Sequence, residues 1–364
     1  MIDDALVVDS VVHGFDYRPA NMATHMPPGT IWAEAHVTMT PQGPEFEKYL
    51  LDTERWEQKR TAEEMVSGVF FESQTDIAVY HVVRRGLGGM SLGEWSPMQT
   101  GIEMRELAGP KRVYVYGGLT DPFDTARSLD EIDQMIEEAG IIGLKFYPWD
   151  KDARAGKFRE FLFSEENVAY PLIEHCQKRG IKTIGVHKAM GSIVAAFGVA
   201  DLDRAVRDFP GMNFEIVHAG WAFMEDTQIL AARPNVYLNL EAVASLVGTA
   251  PRRFADIIGQ FCRWGGGEAG AEDRLLWGTG FSAVHPRPLI ELFWDFQMPA
   301  DLVEGYRYPQ LTKEMKKKIL GGNFARKMGT TVEELKNGLP DDEIAKVKAE
   351  GLRPPWDKVP ELVS

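Results

Sequence analysis

The chain has 364 residues, of which 44% are hydrophobic, so it can bury a large core and its composition excludes an intrinsically disordered protein. Its formal net charge of −14 opposes binding to nucleic acid and to anionic membrane surfaces, which leaves a small-molecule substrate as the expected partner. No apolar run approaches the roughly 18 residues of a membrane span, the N-terminus lacks the features of a secretion signal, and only two cysteines are present, so we expect a cytoplasmic protein without a disulfide framework.

Short β-rich runs alternate with longer amphipathic stretches along the whole chain. The runs span residues 5–13, 75–83, 112–119, 143–148, 182–187, 213–218, 235–242 and 274–280. This alternation is typical of βαβ units with parallel strands, and eight such strands are the number that closes a barrel. We therefore predict an α/β fold, a (β/α)8 TIM barrel, with residues 1–364 forming a single domain.

Two segments lie outside the regular alternation. Residues 14–74 form an unusually long connection after the first strand, and residues 305–364 form a C-terminal extension of helices and tail. Connections of this length inside compact domains are usually functional. We expect residues 14–74 either to cover a pocket as a lid or to contact another subunit.

One helix between the runs shows clear boundaries. In residues 128–140, Ser128 is the expected N-cap, Glu131 follows three residues later, and Gly140 is the expected end of the helix.

Histidines stand at the ends of three predicted strands. His13 ends the first run, His187 the fifth and His218 the sixth, while His285 follows the eighth. One histidine at such a place is most often a hydrogen-bonded structural residue, but three on one barrel favour a metal site, because the strand ends converge and neutral imidazole is a common metal ligand. Asp9 shares a strand face with His13 and either ligates the metal or is a buried carboxylate that orients His13 or bonds the backbone.

Other polar and aromatic residues lie near the same strand ends. Lys145 lies inside the fourth run, where it either neutralises a substrate carboxylate or extends its ammonium to solvent. Glu241 near the end of the seventh run is either a carboxylate at the barrel mouth or an exposed loop residue. Four aromatic residues follow strand ends and either line an apolar pocket or pack structurally: Tyr147, Trp149, Trp221 and Phe223.

Motifs of several other enzyme classes are absent from the sequence. It contains no G-x-S-x-G nucleophile elbow, no P-loop, no G-x-G-x-x-G between a strand and a helix, and no C-x-x-C pair. The strand-end histidines therefore remain the main candidates for chemistry.

Six short segments, spread over most of the chain, carry a resemblance to a known family. They are VVDSVVH, GLKFYP, GVHKAMG, FEIVHAGW, LLWGTGFSAVHP and ILGGNFARKMG. In them the sequence resembles the amidohydrolase-related family that includes aminocarboxymuconate-semialdehyde decarboxylase and resorcylate-type decarboxylases. Members carry D-x-H-x-H on strand one, histidines on strands five and six, and an aspartate on strand eight. His13, His187 and His218 match three of these positions, whereas Val11 and Gly280 stand where the first histidine and the aspartate are expected.

The resemblance implies a divalent metal, with zinc expected first and manganese or iron as alternatives. His13 and His187 would bind the metal, Asp9 would complete or orient the site, His218 would polarise substrate or move a proton, and Lys145 would meet an anionic group. Decarboxylation or hydrolysis of a small carboxylated or aromatic substrate would suit these groups.

The departures at Val11 and Gly280 motivate a second hypothesis. The same branch resembles two-subunit metal-dependent oxygenases such as the hydroxylase of 2-aminoisobutyric acid, in which two related barrels assemble. The chain would then be a divergent subunit whose main active site lies in a related partner. Both hypotheses are compatible with a homo- or hetero-oligomer, and residues 14–74 are the candidate interface.

Overall fold

A computed structural model describes residue 2 and residues 4–23, 30–85, 91–152, 156–189, 194–264 and 271–359. Its strands are β1 (Val8–Val12), β2 (Ile77–His81), β3 (Val113–Gly118), β4 (Gly143–Phe146), β5 (Trp149–Asp152), β6 (Lys157–Glu160), β7 (Thr183–His187), β8 (Asn213–Val217), β9 (Val236–Asn239) and β10 (Leu275–Leu276). Eight of them form one parallel sheet in the order β1-β2-β3-β4-β7-β8-β9-β10, and each lies within one of the predicted runs. The predicted TIM barrel is therefore confirmed, and the antiparallel β5–β6 hairpin after β4 is an addition that was not predicted.

Backbone hydrogen bonds close the barrel between β1 and the segment that follows the short strand β10. Ser10 N donates to Trp277 O at 2.9 Å, and Gly280 N donates to Val11 O at 3.0 Å. The eighth strand position thus continues past β10 in an irregular form, which brings Gly280 beside β1.

Helices surround this barrel. They are α1 (Thr30–Met39), α2 (Thr53–Trp56), α3 (Ala62–Val66), α4 (Met98–Ala108), α5 (Thr125–Ala139), α6 (Glu166–Lys178), α7 (Val194–Phe197), α8 (Leu202–Asp208), α9 (Met224–Ala231), α10 (Leu246–Thr249), α11 (Pro251–Trp264), α12 (Pro286–Asp295), α13 (Ala300–Tyr306), α14 (Lys313–Lys317), α15 (Asn323–Met328), α16 (Val332–Asn337) and α17 (Glu343–Glu350). None of the helices in the described part of the chain is long and apolar enough to cross a membrane.

The sequence of α5 explains where this helix begins and ends. Ile132 and Met135 are buried against the barrel, and Gly140 ends the helix in a left-handed conformation, as expected. The N-cap, however, is Asp124, so the prediction that Ser128 caps the helix is wrong. Ser128 lies inside the first turn, where its buried hydroxyl donates to a backbone carbonyl.

The long connection between β1 and β2 packs against the barrel. One buried apolar cluster joins Leu51 and Trp56 of this connection to Val12 and Tyr80 of the barrel. His36 on α1 adds a polar attachment, because its Nδ1 lies 3.0 Å from Ala283 O in the loop after β10. The expectation that residues 14–74 act as a lid or as an interface stays a prediction.

The C-terminal tail is held by the same region. Trp356 N donates to Glu72 Oε2 at 2.6 Å, and the Trp356 indole donates to Tyr49 O at 3.0 Å. Glu72 also lies 3.0 Å from His285 Nε2, so it joins the tail to the loop after β10. His285 is therefore engaged in a structural contact.

Candidate functional site at the barrel mouth

Five polar residues lie at or near the carboxyl ends of the barrel strands, which all open on the same side because the strands are parallel. His13 follows β1, Lys145 lies in β4, His187 ends β7, His218 follows β8, and Glu241 comes two residues after β9. His13, Lys145 and His218 are buried, and His187 and Glu241 are partly buried, so the group lines the interior of the mouth.

The His13 imidazole is fixed by a backbone carbonyl. Its Nδ1 lies 3.1 Å from His81 O, and its ring stacks on Phe15 with a centroid separation of 4.4 Å. Because a carbonyl only accepts hydrogen bonds, the proton of the neutral ring sits on Nδ1. The lone pair of Nε2 then faces Glu241, whose Oε1 is 3.7 Å away.

His218 is held in the same manner. Its Nδ1 lies 3.1 Å from Glu241 O, which again places the proton on Nδ1 and leaves a lone pair on Nε2. This Nε2 lies 3.0 Å from His187 Nδ1 and 3.6 Å from Glu241 Oε2. Three imidazoles and one carboxylate are thus linked by short separations.

The backbone at His218 is strained. His218 has φ of 68° and Ala219 has φ of 51°, a left-handed conformation that costs free energy for residues other than glycine. Such conformations persist where the surroundings hold them, and they concentrate at functional sites. Here the turn directs the imidazole of His218 into the mouth.

Burial determines the charge of the imidazoles. It lowers the pKa of His13, His187 and His218, so these rings are neutral near pH 7. Burial opposes a charge on Glu241 as well, but its polar surroundings, among them the buried ammonium of Lys145, outweigh this effect and keep the pKa of the carboxyl well below its usual range. The mouth therefore combines neutral nitrogen donors with a carboxylate.

Lys145 is buried at the edge of this group. Its Nζ lies 5.4 Å from the centre of the Tyr147 ring, and the residue borders a small cavity together with Arg84. Burial lowers the pKa of the ammonium, while Glu241 and Glu215 partly oppose this shift. Its position suits the predicted contact with an anionic group.

Asp9 lies below the mouth and is already engaged. Its Oδ1 accepts from Thr279 N at 2.9 Å and from Val11 N at 3.3 Å, and its Oδ2 accepts from the Thr279 hydroxyl. Burial raises its pKa to about 7. Of the two roles expected for Asp9, these contacts favour holding the seam between β1 and the segment after β10.

The sequence prediction missed His81 at the end of β2. The ring is completely buried, its Nε2 lies 3.0 Å from Ser10 O, and its Nδ1 has no hydrogen-bond partner in the described part of the chain. The other histidines were selected because each stands at or just after the end of a predicted strand. The second run was extended to residue 83, so His81 lay inside it; a run that ended at residue 81 would have included His81 among the candidates.

The aromatic residues divide into two groups. Tyr147 borders the site, since its ring centre lies 5.2 Å from that of His187. Trp149 instead packs within the hairpin against Phe158, at 5.2 Å, and Trp221 packs on the main core. Phe197, which was not singled out, adds an edge contact to His187 at 5.9 Å.

Comparisons with solved structures agree with the barrel. An uncharacterized TIM-barrel protein from Bordetella bronchiseptica is 16% identical, with a TM-score of 0.58 over 89% of this chain and 98% of the other. The 5-carboxyvanillate decarboxylase of Novosphingobium aromaticivorans, solved with manganese and 4-hydroxy-3-methoxy-5-nitrobenzoic acid, is 13% identical, with a TM-score of 0.51 over 90% and 96%. At such identities the likeness establishes a shared fold.

Sequence comparisons define the family. A search of curated proteins finds no match. The family model described as Amidohydrolase matches residues 13–328, which is most of the chain and includes every histidine of the mouth. The chain therefore belongs to the amidohydrolase family.

Proposed function

We propose that the chain is a metal-dependent enzyme that decarboxylates or hydrolyses a small substrate carrying a carboxylate or an aromatic ring. One observation carries the proposal: the imidazoles of His13 and His218 are fixed by backbone carbonyls so that their free Nε2 atoms face into the mouth. A carbonyl on the far nitrogen is the support that metal-binding histidines usually have.

The donor atoms suit a divalent metal in type and direction. His187 Nδ1 and His218 Nε2 lie 3.0 Å apart. Because His218 Nε2 carries a lone pair, His187 donates the proton of its Nδ1 to it, and this leaves the lone pair of His187 on Nε2 for a metal. Zinc is the expected metal for such nitrogen and carboxylate donors, with manganese or iron as alternatives.

The residues take the following roles. His13 and His187 bind the metal, and Asp9 holds the strand seam beneath them. When bound, the metal supplies Lewis acidity and lowers the pKa of a bound water. His218 polarises the substrate or moves a proton at Nε2. Lys145 binds the anionic group of the substrate.

A carboxylated substrate fits these roles best. The Lys145 ammonium compensates the carboxylate, and Tyr147 and Phe197 supply aromatic surface beside His187. In a decarboxylation the carbon–carbon bond breaks, CO2 leaves, and the electron pair on carbon takes a proton. Solvent supplies that proton, and His218 Nε2, which carries no proton at rest, takes it up and passes it to carbon. Aromatic carboxylates are the first substrates to test, since a structural neighbour with this fold is a 5-carboxyvanillate decarboxylase.

The first experiment measures metal content by elemental analysis of the purified protein. We expect about one metal ion per chain in the wild type and none in the His13→Ala/His187→Ala variant. His175→Ala is the matched control, because His175 pairs with Asp133 between two helices and should keep the metal. Unchanged metal in the double variant would overturn the metal assignment.

One observation favours the second hypothesis, a subunit of a metal-dependent oxygenase. Within the described ranges, no three His, Cys, Asp or Glu side chains surround a common point closely enough to hold an ion as they stand. Metal binding then requires the side chains to draw together, which a related partner chain would favour. Metal and turnover that appear only after co-expression with a related barrel would support this hypothesis, and robust turnover by the isolated chain would rule it out.

A further inference from the structure

We propose that a small cavity beside Lys145 is a subsite for a carboxylate that anchors the substrate and that the reaction leaves intact. The cavity lies at the ends of β2, β3 and β4, and Arg84 supplies a second cation to it. The inference rests on the proposed function for the carboxylated substrate, but none of its residues is a candidate metal ligand. It therefore applies to the metal-free protein as well.

The size of the cavity limits what can enter it. It offers about 20 Å³, and a site for a single water molecule needs roughly 10–15 Å³. The cavity therefore takes a group of a few atoms, such as a carboxylate, while the body of the ligand stays outside in the mouth. Gly118 adds no side chain to the wall, because a Cβ atom there would collide with the carbonyl of Val82.

The charge of the lining favours an anion. Lys145, Arg84 and Arg85 line the cavity, whereas Asp150 is the only acidic residue among its described lining residues. This local excess of positive charge contrasts with the formal net charge of −14 of the whole chain. A cleft lined by one sign of charge concentrates ligands of the opposite sign.

Two of these cations offer hydrogen-bond donors that the protein leaves unused. Lys145 is only 2% exposed, and its Nζ donates no hydrogen bond among the described residues. Arg84 is held along the wall, since its Nε donates to Gly118 O at 3.4 Å and its Nη1 pairs with Glu94. Its Nη2 has no acceptor in the described part of the chain. A buried ammonium without an acceptor is costly, so it points to a missing anionic ligand.

The cavity and His218 lie on opposite sides of the mouth. In the strand order of the barrel, β2 is four strands away from β8, and β3 is four strands away from β9. Strands separated in this way face each other across a closed ring of eight. The proton that His218 Nε2 passes on in the proposed decarboxylation therefore reaches a carbon remote from the cavity. A carboxylate beside Lys145 is retained, so a substrate that loses CO2 carries a second carboxylate.

The test is a calorimetric titration of the metal-free protein with benzoate and with benzamide, its neutral counterpart. Wild type should bind benzoate roughly 10-fold or more tightly than benzamide, because only benzoate forms charge-assisted hydrogen bonds. Arg84→Gln should weaken benzoate binding by roughly 10-fold or more, and Arg84→Lys, which keeps the charge, should lose less. Arg252→Gln is the matched control, since Arg252 pairs with Asp301 on the outer surface, and it should bind like the wild type. Thermal melting checks that each variant is folded.

A crystal structure of the benzoate complex tests the position of the bound group. The carboxylate should lie ~2.7–2.9 Å from Lys145 Nζ, with the ring directed toward His218. A carboxylate bound at His218 instead would overturn the retained role.

The outcomes separate this inference from the proposed function. If wild type binds benzoate no better than benzamide, or if Arg84→Gln binds benzoate like the wild type, the subsite is overturned, and metal content still decides the metal assignment. If the purified chain holds no metal but Arg84→Gln loses benzoate, the metal enzyme falls and the subsite stands. Should Arg84→Gln fail to fold, Arg85→Gln on the same cavity takes its place, and unchanged affinity there contradicts the inference.

Discussion

Two lysines buried inside the barrel have opposite surroundings. Lys327 extends from α15, and its Nζ donates to Tyr116 Oη at 2.7 Å and to Glu215 Oε2 at 2.5 Å. Lys145 is equally buried at the mouth, yet within the described residues its Nζ donates no hydrogen bond. The ammonium of Lys327 is therefore hydrogen-bonded by the protein, whereas that of Lys145 has the face of the Tyr147 ring beside it and no hydrogen-bond acceptor among the described residues.

The polar groups around the two lysines differ in the same way: those near Lys327 are hydrogen-bonded, and several near Lys145 are not. Around Lys327, Glu215 also accepts from Asn239 Nδ2 at 2.5 Å, so both of its oxygens are used. Around Lys145, Glu241 Oε2 and His81 Nδ1 are buried without a partner in the described part of the chain. Buried polar groups are normally satisfied, so a concentration of unsatisfied ones marks a place where a ligand completes the structure.

The other buried lysines follow the pattern of Lys327. Lys188 Nζ donates to Ala196 O at 2.7 Å and to Asp201 Oδ1 at 2.8 Å. Lys316 Nζ donates to the carbonyls of Trp294 and Phe296 at 2.7 and 2.6 Å. Lys145 is thus the exception among the buried lysines that the structure describes, which supports a functional role for it.

The largest change in the free energy of unfolding is expected at Lys327, the lysine whose ammonium is hydrogen-bonded by the protein. Lys327→Met should lower the free energy of unfolding by about 3–5 kcal/mol, because it leaves the Glu215 carboxylate buried without its counter-charge. Chemical denaturation of the purified variants measures this change. The double variant Lys327→Met/Glu215→Gln, which removes both charges, should recover part of the loss. A single variant as stable as the wild type would show that the pair does not hold this end of the barrel.

An effect of intermediate size is expected at His36, a histidine satisfied on both nitrogens. Its Nδ1 donates to Ala283 O, and its Nε2 accepts from Leu51 N at 3.0 Å, so the ring must be neutral. Burial lowers its pKa from 6.5 to about 4. The unfolded chain therefore takes up the proton first, and the stability from neutral His36 is full above pH 6.5 and is lost as pH falls toward 4.

At ~1.4 kcal/mol per pKa unit this loss amounts to about 3 kcal/mol. The protection of the Leu51 amide against hydrogen exchange, measured relative to the intrinsic exchange rate at each pH, should fall over this pH range, since that amide bonds to His36. His36→Gln can donate and accept but does not titrate, and it should reduce the pH dependence. An equal acid sensitivity in both proteins would show that other groups cause it. In that case His36, although both its nitrogens are hydrogen-bonded, would not contribute to the pH dependence of stability as we expect.

The barrel could be predicted because its signal is local and periodic. Each run from Val8–Val12 to Leu275–Leu276 is a short β-rich segment followed by an amphipathic stretch. The hairpin Trp149–Glu160 was missed, since its second strand, Lys157–Glu160, is charged and largely exposed and so carries no apolar alternation. Nothing in its composition distinguishes it from a loop.

The candidate site could be predicted only where a residue type and a strand end coincide. His13, His187 and His218 meet this rule, and the structure places all three at one mouth. The position of Glu241 depends on the missing side chain at Gly280, which is distant in sequence, so its signal was weak. The burial of Lys145 followed from its strand, but its lack of a partner depends on three-dimensional contacts that no local pattern encodes.

The smallest change in the free energy of unfolding is expected at Lys145, whose ammonium has no hydrogen-bond acceptor among the described residues. This variant decides the comparison with Lys327. Lys145→Met makes the same substitution as Lys327→Met but removes an ammonium that no hydrogen bond satisfies, so the free energy of unfolding of the metal-free protein should rise by about 1–2 kcal/mol. Chemical denaturation at neutral pH measures the change, and binding of an aromatic carboxylate, followed by calorimetry, should be lost at the same time. The opposite sign of the two methionine variants would show that one lysine serves the fold and the other the ligand. A destabilisation by Lys145→Met equal to that of Lys327→Met would instead assign Lys145 to the fold.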